Sequence, residues 1–265
     1  MNDNRPIGIF DSGVGGLTVY KELRKQLPHE DIIYFADSDR APFGGKSEAA
    51  LKRYAKEIVE FLLSQDVKLI VIACNTICAV AYDYLRQTFD IPMIELIDTS
   101  VYEAGRITQT NHIGVLATAA SINSGVFAKK ITANGFIPHP QAAPLLVPLI
   151  EENLTADEIT LPFLHLYLDV LSRDIDTLIL GCTHYPLLSS QIHNLYPSLS
   201  IINPAGTAAL NAKTYLQTHG LLKAGTDITG TSLFYTSKDT EKFNHLYFTF
   251  LNKEITSRLH RLGEK

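Results

Sequence analysis

The strongest constraint on the fold is a repeat. Leu69-Ile70-Val71-Ile72-Ala73-Cys74-Asn75-Thr76 is echoed by Thr177-Leu178-Ile179-Leu180-Gly181-Cys182-Thr183-His184, and Ile7-Gly8-Ile9-Phe10 by Ile113-Gly114-Val115-Leu116. The steps from 7 to 113 and from 74 to 182 are nearly equal, so two landmarks keep their spacing. Buried strands are all aliphatic, which makes either match weak alone; a cysteine set immediately after the strand in both copies is a rarer coincidence. Two related lobes are therefore expected. In each, short apolar runs alternate with segments at helical spacing, the pattern of βα units around a largely parallel sheet.

The first unit runs from 7–10 into the turn Asp11-Ser12-Gly13-Val14-Gly15-Gly16 and a helix in which Leu17, Tyr20, Leu23 and Leu27 share a face. Further strands are expected at 31–36, 68–73 and 92–97, and helices over 48–64 and 76–88. The copies span about 6–98 and 99–209, leaving a helix, a strand at 232–235 and a terminal helix in 210–265 to close one of the lobes. With 46% hydrophobic and 19% charged residues, the chain can bury a core, and no apolar run approaches the ~18 residues of a membrane helix. A net charge of −5 argues against a nucleic-acid partner. The polar start, Met1-Asn2-Asp3-Asn4-Arg5-Pro6, has no secretory signature, so a cytoplasmic location is expected. There the three cysteines, Cys74, Cys78 and Cys182, are core residues, metal ligands or acid/base groups, not a disulfide framework.

Parallel α/β sheets bind ligands beyond the carboxyl ends of their strands, where free backbone N–H groups receive anions. Asp11, Cys74, Thr118 and Cys182 fall at such ends. If the lobes face each other across a cleft, the two thiols approach one ligand from opposite sides. Inverting a stereocentre through a carbanion needs that arrangement: one group takes a proton from one face and another supplies a proton to the other. A free thiol, with a pKa of roughly 8.5 that its surroundings readily move, can do either. Asn75, Thr76 and Thr183 offer donors for a carboxylate, His184 is a titrating neighbour for Cys182, and Asp11 could accept an ammonium or assist Cys74.

Other readings stand beside this one. Cys78, one helical turn past Cys74, reads as packing. Cys74, Cys78, Cys182 and His184 could form a zinc site, but no paired C-x₂-C is present. Gly13-Val14-Gly15-Gly16 lacks the spacing of a dinucleotide fingerprint, and Arg40-Ala41-Pro42-Phe43-Gly44-Gly45-Lys46-Ser47 that of a P-loop; the latter is a turn whose amides could bind a carboxylate.

Several blocks carry a resemblance. Residues 6–18, Tyr34-Phe35-Ala36-Asp37-Ser38, Pro42-Phe43-Gly44, Ala73-Cys74-Asn75-Thr76, Val147-Pro148-Leu149-Ile150-Glu151 and Leu180-Gly181-Cys182-Thr183-His184-Tyr185-Pro186-Leu187 occur in the order found in the cofactor-independent aspartate/glutamate racemase family, which the chain resembles from residue 6 to about 210. The resemblance implies two pseudo-duplicated α/β lobes with the active site in the cleft between them. The tail then rejoins the first lobe, giving 1–98 plus 210–265 and 99–209 as the domains.

It also implies conversion of L-glutamate to D-glutamate for peptidoglycan, with no cofactor, no metal, no membrane partner and room for a homodimer. By motif position, Cys74 acts on the D-enantiomer and Cys182 on the L-enantiomer. Asp11, Ser12, Phe43, Gly44, Asn75, Thr76, Thr118, Thr183 and His184 fall at substrate positions, and Asp11, His184, Glu151 and Asp37 at auxiliary ones. Phe43 stands where the family usually has Tyr, and Asn203-Pro204-Ala205 where it has an Asp-Ser pair. Two rivals remain. One is an aspartate racemase or a related two-cysteine isomerase of the same fold. The other is a ligand-binding or thiol-redox module, whose Cys74–Cys182 disulfide would need Cα atoms within roughly 7 Å, where a wider gap is expected.

Overall fold

A computed structural model describes residues 3–171, 174–224 and 228–263. Its ten described strands lie in two sheets. The first holds β1 (Ile7–Asp11), β2 (Ile32–Ala36), β3 (Leu69–Ile72), β4 (Met93–Ile94), β9 (Ser232–Thr236) and β10 (Arg258–Leu259), in the order β10-β9-β2-β1-β3-β4. The second holds β5 (His112–Ala117), β6 (Ile137–Ala142), β7 (Thr177–Gly181) and β8 (Ser200–Ile202), in the order β6-β5-β7-β8. Every pairing is parallel.

The repeat read from the sequence is a repeat of topology. β2-β1-β3-β4 and β6-β5-β7-β8 are the same arrangement, and Ile7 pairs with Leu69 as Ile113 pairs with Thr177. β1, β2, β3 and β7 are buried along their whole length, which is why they read as unbroken aliphatic runs without alternation. The edge strand β6 instead carries Pro138 and Pro140, which a central strand would not tolerate.

The helices are α1 (Leu17–Gln26), α2 (Glu48–Ser64), α3 (Asn75–Thr88), α4 (Ile97–Ile107), α5 (Ala119–Asn123), α6 (Val126–Ala133), α7 (Leu146–Glu151), α8 (Asp157–Leu168), α9 (Ser189–Leu195), α10 (Ala205–Thr218) and α11 (Thr240–Leu251). Ile113, Val115 and Ile179 belong to the same buried apolar cluster as the first sheet, whereas Leu116, Leu178 and Leu180 face a separate cluster with α7 and α8. The two halves thus share one core along one side and part on the other.

Three expectations are corrected. The strand expected over 92–97 pairs only at Met93 and Ile94, because the Glu95 carboxylate accepts the amides of Ile97 (2.5 Å) and Asp98 (2.6 Å) and turns the chain into α4. The helix expected after 210 begins at Ala205, directly behind Pro204, and packs on α1. The last described element is not the expected terminal helix: after α11 comes β10, at the edge of the first sheet.

Candidate active site

β3 ends at Ile72, and Cys74 is the residue that caps the start of α3; β7 ends at Gly181, and Cys182 follows it directly. Both thiols border one cavity of about 230 Å³, below the roughly 300–1,000 Å³ typical of drug-sized ligands. The first half contributes Ser12, Phe43, Gly44, Asn75 and Thr76, and the second Thr118, Glu151, Thr183 and His184. All three cysteines are free. Cys78 is turned away, its thiol donating to Ile72 O at 3.3 Å, so the four-residue zinc set does not assemble.

Asn75 is the most telling lining residue. It is buried, and among the described residues neither its amide nitrogen nor its amide oxygen has a hydrogen-bond partner. A buried amide left unpaired costs about 1–3 kcal/mol per group; Asn75 is one of the residues that line the cavity, where a ligand can offer its amide a partner. Across the cavity Thr76 and Thr118 join hydroxyls at 2.9 Å, linking the two halves. The halves also meet at two glycines. A Cβ on Gly44 would stand 2.9 Å from Thr118 Cβ, and one on Gly15 would stand 2.6 Å from Thr183 Oγ1, so any side chain there would push the halves apart.

Two residues from the expected set lie off the cavity lining. Asp37 ends in a cage: Arg40 Nε donates to it at 2.7 Å and Ser237 Oγ at 2.9 Å. Arg40 also pairs with Glu57 and lies over the Tyr54 ring, 4.2 Å from its centroid. Asp37 therefore secures the loop that carries Arg40, and it is not among the residues that line the cavity. Asp11 is fully buried behind Cys74, with Oδ2 accepting the amides of Gly16 (2.8 Å) and Gly13 (3.3 Å). It can act on Cys74 by its charge, and its other oxygen, Oδ1, is buried without a hydrogen-bond partner among the described residues. Phe43 turns its ring onto Tyr54, at 5.8 Å between centroids. Sequence reasoning missed the apolar wall of Pro144, Val147, Pro148 and Tyr185, which carries no polar signal.

The pattern that defines the Asp/Glu/Hydantoin racemase family runs through residues 7–212. The chain belongs to this family. It is 42% identical over 256 residues to the glutamate racemase of Neisseria meningitidis serogroup C, covering 95% of this chain and 94% of that protein. With the glutamate racemase of Streptococcus gordonii it shares 38% over 259 residues, 96% of this chain and 97% of that protein. The crystal structure of glutamate racemase from Francisella tularensis in complex with D-glutamate superimposes with a TM-score of 0.91 at 36% identity, covering 97% of this chain and 98% of that one.

In this member of the racemase family the electrostatics around the two thiols differ. Burial first, and the Asp11 carboxylate second, push the Cys74 thiol well above its ordinary value, while the amides of Ile77 and Ser12 pull the other way. At neutral pH Cys74 rests as a thiol. Cys182 has a cation beside it instead: His184 Nδ1 lies 3.8 Å from its sulfur, and His184 Nε2 lies 3.0 Å from Glu151 Oε1. Burial alone would neutralise the ring, but hydrogen bonds to Cys182 and Glu151 outweigh it and raise its pKa to about 10. Glu151, despite its own burial, is held below the usual carboxylate range by His184.

A pKa raised to about 10 means that the imidazolium persists below that pH and is lost above it. Glu151→Gln keeps an acceptor but removes the charge, so the alkaline limb of kcat/KM, which reports the free enzyme, should move to lower pH by about one unit or more. A pH–rate profile of the variant checks this; an unmoved limb would show that Glu151 does not hold the His184 proton.

Proposed function

We propose that the chain interconverts L- and D-glutamate by proton transfer between two thiols, without a cofactor, and supplies D-glutamate for peptidoglycan. One observation carries this reading: thiols from topologically equivalent strand ends, one per sheet, border a single small cavity that also holds an unpartnered buried amide. The relatives named as glutamate racemases, and the D-glutamate in the Francisella tularensis complex, support the choice of substrate.

In the direction from L-glutamate, Cys182 as thiolate, with the His184 cation beside it, takes the Cα proton. The electron pair left behind spreads into the α-carboxylate. Cys74, resting as a thiol, delivers its proton to the opposite face, so the enzyme ends with a thiol at Cys182 and a thiolate at Cys74, ready for the reverse reaction. The barrier lies in the weak acidity of the Cα proton. Donors already fixed around the carboxylates stabilise charge as it develops, usually the largest catalytic contribution. Asn75, Thr76, Thr118, Thr183, Ser12 and the backbone of Phe43 and Gly44 are assigned to this task, with Asp11 and Glu151 acting through Cys74 and His184.

The same proposal takes the domains as 1–98 plus 205–265 and 99–204, the expected boundary near 209 moved so that α10 stays whole. It also takes the enzyme as cytoplasmic and homodimeric; among the described residues no helix is long and apolar enough to cross a membrane. Leu166 and Val170, 56% and 65% exposed at and just beyond the end of α8, offer a face for a second copy. The test is incubation of pure protein with L-glutamate in D₂O, with neither pyridoxal phosphate nor metal added. Both enantiomers should appear with deuterium at Cα. Absence of exchange overturns the proposal, and faster turnover of aspartate or maleate reassigns the substrate.

A further inference from the structure

We infer that Ser121, which does not border the cavity, is a positioning residue that sets the direction in which the Thr76 and Thr118 hydroxyls present their hydrogens to a substrate carboxylate. The inference rests on the functional reading above. Its physical basis is a row of three hydroxyls running from the cavity into the second half. Thr76 Oγ1 and Thr118 Oγ1 are 2.9 Å apart, and Thr118 Oγ1 and Ser121 Oγ are also 2.9 Å apart. Thr76 and Thr118 border the cavity; Ser121 lies behind them, fully buried.

The donors and acceptors in this row can be counted. A hydroxyl has one hydrogen and two acceptor sites. Thr118 Oγ1 caps α5 by accepting the Ser121 amide at 3.3 Å, which takes one acceptor site. One acceptor site and one hydrogen remain, and two neighbours must share them. Ser121 and Thr76 therefore cannot both donate to Thr118. Either Thr76 gives its hydrogen to Thr118, and Thr118 gives its own to Ser121, or the row runs the other way.

An anion in the cavity decides between the two. In the first arrangement Thr76 turns lone pairs toward a carboxylate, which repels it. In the second, Ser121 donates to Thr118, Thr118 to Thr76, and Thr76 has its hydrogen free for the carboxylate. Aligned hydroxyls polarise one another in a buried row, so the last donor is strengthened by those behind it. In the direction that serves the carboxylate Ser121 starts the row, and Thr118 is the only hydrogen-bond partner of its hydroxyl among the described residues. The row also crosses between the halves, since Thr76 opens α3 and Thr118 follows β5.

Removing the hydroxyl tests this with little change of shape. For Ser121→Ala, KM should rise about 3- to 10-fold, the range expected for one buried hydrogen bond, while kcat stays within about twofold. Because two enantiomers have equal free energy, kcat/KM must fall by the same factor from L- and from D-glutamate, which is an internal check. The dissociation constant of D-glutamate by calorimetry should rise with KM. Ser121→Thr keeps the hydroxyl and should restore both values. Ser121→Cys keeps the volume with a weak donor; it should behave as alanine does and serves where alanine leaves a void.

Unchanged KM and affinity in Ser121→Ala, beside a wild-type protein that racemises glutamate, overturn the inference and leave the functional reading intact. An equal loss in Ser121→Thr also overturns it, since packing would then be the cause. A wild-type protein that neither binds nor racemises glutamate overturns the functional reading and this inference together.

Discussion

Replacing Cys74 or Cys182 by alanine should lower kcat for racemisation by about a hundred- to ten-thousand-fold, the contribution of a positioned proton-transfer group. The two thiols do not substitute for each other, because each addresses one face of Cα. Each single variant should therefore separate exchange from inversion. In Cys182→Ala, Cys74 remains and should exchange the Cα hydrogen of D-glutamate for solvent deuterium without forming L-glutamate; Cys74→Ala should do the same with L-glutamate alone. Serine in place of either cysteine keeps the shape but supplies a far weaker acid, and should be as inactive as alanine. Mass spectrometry with chiral separation reads both results. The fold should persist, since each cysteine is a small residue at the border of the cavity and alanine removes only its sulfur. A variant that keeps more than about a tenth of the wild-type kcat would remove that thiol from the reaction.

The residues legible in the sequence are those whose place follows from chain direction alone. A strand that ends in a parallel sheet delivers the next residue to the ligand-binding edge, so Cys74, Asn75 and Thr76 after β3, and Cys182, Thr183 and His184 after β7, are placed by the apolar runs before them. Asp37 follows β2 just as directly, yet it is captured by Arg40 and by Ser237. Chain direction gives the end of the strand but not the partners that a side chain meets there, and Ser237 lies far along the sequence. Glu151 has the same distance problem, since it meets His184 only through tertiary packing. The Ser121 row was invisible for another reason: serine and threonine are common, and only their 2.9 Å spacing gives them meaning. The short β4 is a case of local override, where the Glu95 carboxylate takes two amides and starts a helix within an apolar stretch that reads as strand.

Lys68 gives the largest expected effect on stability, and nothing in its sequence neighbourhood marks it. It stands just before β3, at the end of the sheet remote from the thiols, with its side chain fully buried. Its ammonium lies 2.6 Å from Glu30 Oε2 and donates to the carbonyls of Asp3 (2.7 Å) and Leu221 (2.8 Å). Glu30 Oε1 in turn accepts the Lys223 amide at 2.8 Å. The pair thus ties the start of the chain and the segment after α10 to the base of the first sheet. Lys68→Met leaves a buried carboxylate without its counter-charge, and should cost about 3–5 kcal/mol in urea unfolding. Replacing both partners, Lys68→Met with Glu30→Leu, should recover much of that loss, because a desolvated ion pair is often no more stable than apolar groups of similar volume. The recovery separates the unpaired charge from the lost ties to Asp3 and Leu221, which the double variant does not restore. A single variant within about 1 kcal/mol of wild type would show that water reaches Glu30 and that the base of the sheet is not sealed.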